Sequence, residues 1–306
     1  MSDTIKVTNR LLRKFFEMYT QLYETPFMSQ NQIARNTGIP RSSVSRYLEE
    51  MYKRSIMKGP QIFVKPAQNY HLYASFCQFE DPYAVYKGLK GLPHVLYRSW
   101  NCGRWNMTLI SDTLINLPLL KGFQTCIHQG VKSVTYLPKV TTLDWDNSMK
   151  KIQQTISTPK KKTTLYEEIP INPWNEQEWI LHSKFKDNTR VQALPILRKH
   201  KIRYETVEKW ISELPQYTTI HTGFYPQEIG NYFASDFLFQ SDYHKQLINI
   251  LGLLPSTSVF FSVGCSLLAR LFVLTKREEN DLFSLFNQLK GRGYFTDFYF
   301  ARALFA

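Results

Sequence analysis

Only four cysteines occur in 306 residues, Cys77, Cys102, Cys126 and Cys265, and none sits in a CxxC pair or a Cys/His spacing suited to zinc. That scatter excludes a disulfide framework and a zinc finger; the four read as reduced, buried thiols, and no metal or other cofactor is expected. Acidic residues are also few: 25 Asp and Glu face 38 Lys and Arg, for a formal charge of +13. The imbalance excludes an acid-rich solvating chain and calls for an acidic partner, either a polyphosphate or an anionic membrane surface. No apolar run follows the charges of the opening MSDTIKVTNR, so no signal peptide is expected and the compartment reads as cytoplasmic. The stretch 246–269 has no charge and is long enough to cross a bilayer. Pro255-Ser256-Thr257-Ser258 breaks it, and Val259-Phe260-Phe261 suits a strand, so no membrane span is expected.

What is present is core material: 43% of residues are apolar and 15% aromatic, enough for several packed modules in a chain of this length. Two regions share one internal offset. Gly38-Ile39-Pro40-Arg41 followed by Val44 aligns with Lys201-Ile202-Arg203-Tyr204 followed by Val207, and Ser99-Trp100-Asn101-Cys102 aligns with Ser262-Val263-Gly264-Cys265, both at 163 positions. The common register predicts a tandem duplication.

Each half reads as a small helical module followed by strand, helix, two strands, helix and strand. In the first half these are strand 71–78, helix 82–89 with Pro at its start, a hairpin of 94–99 and 105–111, helix 117–128, and strand 131–137. In the second they are strand 237–240, helix 243–254, a hairpin of 258–263 and 267–274, helix 276–289, and strand 294–304. The order βαββαβ is that of a ferredoxin-like sandwich. The expected class is therefore α+β, with two winged helix-turn-helix modules alternating with two ferredoxin-like domains. The boundaries read as 1–66 for the first helix-turn-helix, 67–143 for the first sandwich, 144–173 for a linker, 174–228 for a degenerate second helix-turn-helix, and 229–306 for the second sandwich. The linker's Lys160-Lys161-Lys162 reads as a solvated tether, with a phosphate-contacting arm as the alternative.

The first module carries the clearest chemistry. Leu11, Phe15, Met18 and Leu22 form one apolar face of a helix over 9–23, and Ser29 is a good N-cap for the next. The spacing Ala34, Gly38, Val44 meets the needs of a helix-turn-helix: a small residue where helices approach, a glycine for the left-handed turn, and an anchor in the core. Val44, Tyr47, Leu48 and Met51 then share one face. Arg41, Ser42, Ser43, Ser45 and Arg46 crowd the start of the recognition helix Arg41–Tyr52, which enters the major groove of double-stranded DNA in this motif. Arg46 is the candidate reader of a guanine edge; Arg41 and Ser45 are expected on phosphates. Residues 1–66 hold eleven Lys and Arg against five Asp and Glu. Residues 56–64 read as strand, turn and strand, a wing from which Lys58 and Lys65 reach the backbone, with Lys53 and Arg54 beside it.

These residues, with Ile56-Met57-Lys58-Gly59 after them, resemble the Lrp/AsnC family of transcription regulators, whose helix-turn-helix is joined to a ferredoxin-like effector and oligomerisation domain. The second copy is similar through Asp187–Val191 and Ile202–Val207, but Lys201 replaces the turn glycine, Leu197 replaces the small alanine, and Glu205 and Glu208 face outward. That copy is expected to be a scaffold or a weaker DNA contact. The resemblance implies self-association through the sheet domains, including a pseudo-dimer within the chain, and an amino-acid-like effector. Gly103, Arg104, Trp105 and Asn106 resemble the family's glycine–aromatic–acid turn, with Asn in place of the acid; they are the candidate effector residues, and with the carboxylate missing a plain hairpin turn is the competing reading. The chain is expected to be a regulator and not an enzyme. Two rivals share the layout: sirohaem-decarboxylating proteins, which need His and Arg that His71, His94, His128 and His221 do not supply in a recognisable spacing, and an interaction adaptor that has lost DNA binding.

Overall fold

The computed structural model describes residues 8–159 and 161–305. The first seven residues, read above as carrying no leader, and Lys160 of the lysine run lie outside them.

The chain opens with three helices, α1 (Asn9–Glu24), α2 (Gln30–Thr37) and α3 (Arg41–Lys53). Thr8 caps α1, and Ser29 and Gln32 close a reciprocal capping box on α2. Gly38 ends α2 at φ +67°, the left-handed geometry that a glycine adopts without strain. Leu11, Phe15, Met18, Leu22, Ile33, Val44, Leu48 and Met51 make one buried core, as the periodicity predicts.

A strand β1 (Met57–Val64) follows, but it does not fold back as a wing. It pairs antiparallel with β6 (Thr218–Phe224), the strand after the second helical module. The wing is thus corrected, and the reason is packing. Ile62 and Val64 are buried in the second module's core, while Phe224 lies in the first module's core with its ring 4.8 Å from that of Tyr19. A local turn would leave these three apolar side chains in water; the exchanged strands bury them.

The first sandwich contributes β2 (Leu72–Phe79), α4 (Pro82–Gly88), β3 (Val95–Gly103), β4 (Met107–Ser111) and β5 (Phe123–Lys132). The expected helix over 117–128 is a second correction: only a 3-10 turn at Leu117–Leu119 precedes strand β5. Pro118 and Gly122 (φ +75°) punctuate the segment, and β5 pairs with β2 over nearly its full length, so a complete ladder overrides a weak helical pattern. Strand β5 ends at Lys132, inside the expected strand over 131–137, and an isolated antiparallel bridge between Tyr136 and Phe260 follows it.

Next come α5 (Trp145–Thr155), α6 (Glu176–Phe185), α7 (Ala193–His200) and α8 (Tyr204–Tyr217). Helix α5 occupies the segment read as a linker and buries Ile152 against the second sandwich. Helices α6 to α8 form the second helix-turn-helix, where Lys201 takes the left-handed position at φ +54° that Gly38 holds in the first. The chain ends with β7 (Phe233–Gln240), α9 (His244–Leu251), β8 (Val259–Val263), β9 (Ser266–Val273), α10 (Lys276–Gly291) and β10 (Asp297–Phe305). The charge-free stretch is thus shared among a helix, a turn and two strands, and no described helix is long and apolar enough to cross a membrane.

The two four-stranded sheets close on each other into one barrel, in the order β10-β3-β4-β2-β5-β8-β9-β7. Its seams are β10 with β3, where Ala301 faces Gly103, and β5 with β8, where Lys132 faces Val263. Alternation along the strands sorts the side chains. Phe237, Phe239, Leu267, Ala269 and Leu271 turn outward under α9 and α10, whereas Leu238 and Leu268 turn into the lumen with Phe76 and Trp105. Through the lumen runs a polar chain: Trp105 donates to Thr108, Thr108 to Asn101, Asn101 to Asp236, and Arg270 donates two bonds to Asp236 at 2.6 and 2.8 Å. The cysteines differ from expectation too, because Cys102 and Cys265 are exposed.

Candidate nucleic-acid interface and central cavity

Arg41, Ser42, Ser45 and Arg46 stand exposed on the first turns of α3, with Ser43 half-buried beside them. The opposite face is anchored by Val44, Leu48 and Met51, so the exposed set is fixed by packing rather than by its own bonds. Two features favour an anion there. No acid lies in the first turn, and the N-cap residue, Pro40, makes no side-chain cap bond, leaving backbone N–H groups directed outward at the positive end of the helix. Arg46 rests over the Tyr47 ring at 5.3 Å, and the edge of that ring meets Phe15.

The remaining cations proposed from sequence are placed differently. Arg54 pairs with Glu228 and with Glu50, tying the end of α3 to the loop after β6. Lys65 donates to the carbonyls of Pro215 and Gln216 at 3.3 and 3.2 Å, neutralising the C-terminal end of α8. Both are drawn away from the set expected on DNA because β1 leaves its own module. Lys53 is exposed at the end of α3, and Lys58 is exposed on β1 opposite Gly223. On the second module Arg203, Glu205, Glu208 and Lys209 are all exposed, so acids share the surface that α3 keeps basic.

The four candidate effector residues belong to a barrel seam. A Cβ on Gly103 would lie 2.5 Å from the Phe300 carbonyl oxygen, Trp105 is fully buried with its indole on Thr108, and Asn106 bonds both the N–H and the carbonyl of Phe79. Arg104 lies over the Tyr299 ring. None of them lines the central cavity.

That cavity, of about 350 Å³, lies between the β1–β6 pair, helix α6 and the barrel wall. Leu72, Leu96, Ile110, Leu137, Val259 and Phe261 form much of its wall. Lys132 projects from the β5–β8 seam and is 4% exposed. Its ammonium donates to the Ser133 carbonyl and the Thr135 hydroxyl and sits 4.6 Å from the centre of the Phe261 ring. Burial pulls this lysine down to about 7, within reach of neutral pH. Arg270 reaches the same space; burial opposes its charge, but Asp236 outweighs that and holds it cationic, with Tyr97 accepting a further bond. No sequence signal singled out Lys132. A lysine among β-branched residues, followed by Ser133, Val134 and Thr135, is the one hint available.

Two histidines, His182 half-buried and His221 buried, sit around this region. His182 lines the cavity, and His221 packs among Tyr23, Phe63 and Tyr136 with its Nε2 unbonded. Burial lowers both from 6.5 to about 4, so both are neutral in the folded chain at pH 7. As pH falls from 6.5 towards 4 the unfolded chain gains protons that the folded chain refuses, and stability drops by up to about 1.4 kcal/mol per pH unit for each histidine. The decline should level off below pH 4. Urea midpoints across pH 4–8 check this, and replacing both histidines by glutamine should flatten the acid limb.

Residues 22–56 match the model of the IclR helix-turn-helix domain. They span the end of α1, all of α2 and α3, and the lead into β1. No curated protein sequence matches the chain. Among solved structures, that of the sirohaem decarboxylase NirDL is similar over 95% of this chain and 91% of its own, at a TM-score of 0.53 and 9% identity. Escherichia coli AsnC is similar over 41% of this chain and 92% of its own, at a TM-score of 0.33 and 13% identity. The expectation that the chain is not an enzyme is corrected here, since an enzyme, NirDL, has the fold that this chain shares over nearly its whole length. Over residues 22–56 the chain is thus similar to the IclR helix-turn-helix domain, and over nearly its whole length its α+β fold is similar to that of NirDL.

Proposed function

We propose that the chain is a sequence-specific DNA-binding transcription regulator that reads the major groove with α3. The observation carrying this reading is the acid-free, exposed cluster of Arg41, Ser42, Ser45 and Arg46 on a recognition helix within a matched helix-turn-helix domain. Lys53 and Lys58 extend the basic surface toward the phosphates; Arg54 and Lys65 hold the module in place. The second module acts as a scaffold, because Glu205 and Glu208 would meet phosphates. Pairing of the two sheets makes the chain an internal pseudo-dimer, consistent with a tandem duplication behind the common offset of 163 positions. Two chains would then present two reading helices to a palindromic site. Selection of bound duplexes from a random library tests this: a discrete, enriched motif is expected, and sequences bound without enrichment would sink it.

A second reading, decarboxylation of a carboxylated tetrapyrrole, is favoured by the full-length likeness of fold to NirDL, although the central cavity of about 350 Å³ is too small to enclose such a substrate. Anaerobic incubation with sirohaem separates the two: a changed tetrapyrrole spectrum with CO2 release establishes it, and an unchanged spectrum rejects it.

A further inference from the structure

We propose that the central cavity binds a small organic monocarboxylate with an apolar body and no ammonium group, its carboxylate seated on Lys132. The inference is independent of whether α3 binds DNA. Lys132 reaches the cavity through a wall that is otherwise mainly apolar, and two of its three N–H bonds are taken by Ser133 and Thr135. Among the described residues, no carboxylate forms an ion pair with it. A buried ammonium without a counter-ion is costly to keep charged, and an anion entering the cavity supplies the missing charge.

The neighbouring charges narrow the ligand class. Arg270 is already neutralised by Asp236, both of them held within the barrel wall, so the unmet positive charge belongs to Lys132. Lys186 and Asp187, consecutive residues beyond the end of α6, bring one charge of each sign to the rim. His182 is held neutral by burial. A ligand ammonium would therefore face two cations on the inner wall, which argues against a zwitterionic amino acid. The volume of about 350 Å³ lies at the small end of ligand pockets, roughly 300–1,000 Å³, and suits one ring or a short chain. The apolar residues Leu72, Leu96, Ile110 and Phe261 would receive that body.

Phenylacetate is a suitable probe, with phenylacetamide and phenylalanine as controls for the carboxylate and the ammonium. Isothermal titration of the full chain should show phenylacetate binding, at least about tenfold weaker binding of both controls, and a similar loss in Lys132→Met. A second readout does not depend on the variant's folding. Burial draws Lys132 down to about 7, so the anion should draw up close to one proton at about pH 8 and far less at about pH 6, measured in buffers of different ionisation enthalpy. Tyr70 and Tyr225, which also line the cavity, are pushed upward by burial and stay protonated across this range. Absence of binding up to about 10 mM, equal binding of phenylalanine or the amide, or binding without proton uptake at pH 8 would overturn the proposal.

Discussion

Replacing Arg41 and Arg46 together by alanine is expected to weaken binding of the full chain to its duplex site by about two orders of magnitude or more. A bidentate contact to a guanine edge is worth about 1–3 kcal/mol of discrimination, and a phosphate contact adds a sequence-independent term. Losing one of each gives the expected range. The same variant should lower the slope of log affinity against log salt by about one for every phosphate that is no longer neutralised. Folding should be almost untouched, because both side chains are exposed and the core anchors Val44, Leu48 and Met51 remain. Removing the Arg46 guanidinium from the face of the Tyr47 ring costs about 0.5–1 kcal/mol at an exposed site. Fluorescence anisotropy at several salt concentrations, with thermal unfolding alongside, measures all three quantities. Arg203→Ala with Lys209→Ala, on the acid-containing second helix, should cost far less; equal losses would show that the two modules share the DNA.

Asp236→Ala should destabilise the fold by about 3–5 kcal/mol, the largest single-site effect expected from this structure. Asp236 is fully buried and accepts from both Arg270 nitrogens that face it and from Asn101 on the opposite sheet. Removing the carboxylate leaves a buried guanidinium uncompensated and breaks the polar chain from Trp105 to Tyr97 that joins the two sheets through the lumen. Asp236→Asn keeps the shape and part of the bonding, so it should fall between wild type and alanine. Urea unfolding followed by circular dichroism gives the comparison. A loss below about 1 kcal/mol for the alanine variant would mean that the barrel lumen is solvated rather than closed.

How much of this was legible depended on how local the determining interactions are. The helix-turn-helix could be read because its signals lie within a few residues of one another: the Ser29 cap, the left-handed Gly38, and the Val44-Leu48-Met51 face. The second sandwich was legible for the same reason, since its helices and strands alternate with clear turns. Strand β5 was not, because pairing with β2, some 50 residues earlier, decides it while its own sequence is ambiguous. Nor was the exchange of β1 and β6, whose partners lie more than 150 residues apart. That exchange also removed Arg54 and Lys65 from the expected DNA surface, as each meets a partner contributed by the distant module. The cavity was hidden entirely: Lys132 looks like any strand lysine until the barrel closes around it.

The central claim is that α3 of the first module, and not α8 of the second, lies in the major groove. Site-directed photo-crosslinking tests it most directly. A photoactivatable side chain introduced at Ser45 and, in a separate protein, at the exposed position Glu208, is irradiated on the selected duplex at equal occupancy. The account predicts efficient crosslinking to bases from position 45 and little from position 208; efficient crosslinking from 208 with none from 45 would contradict it.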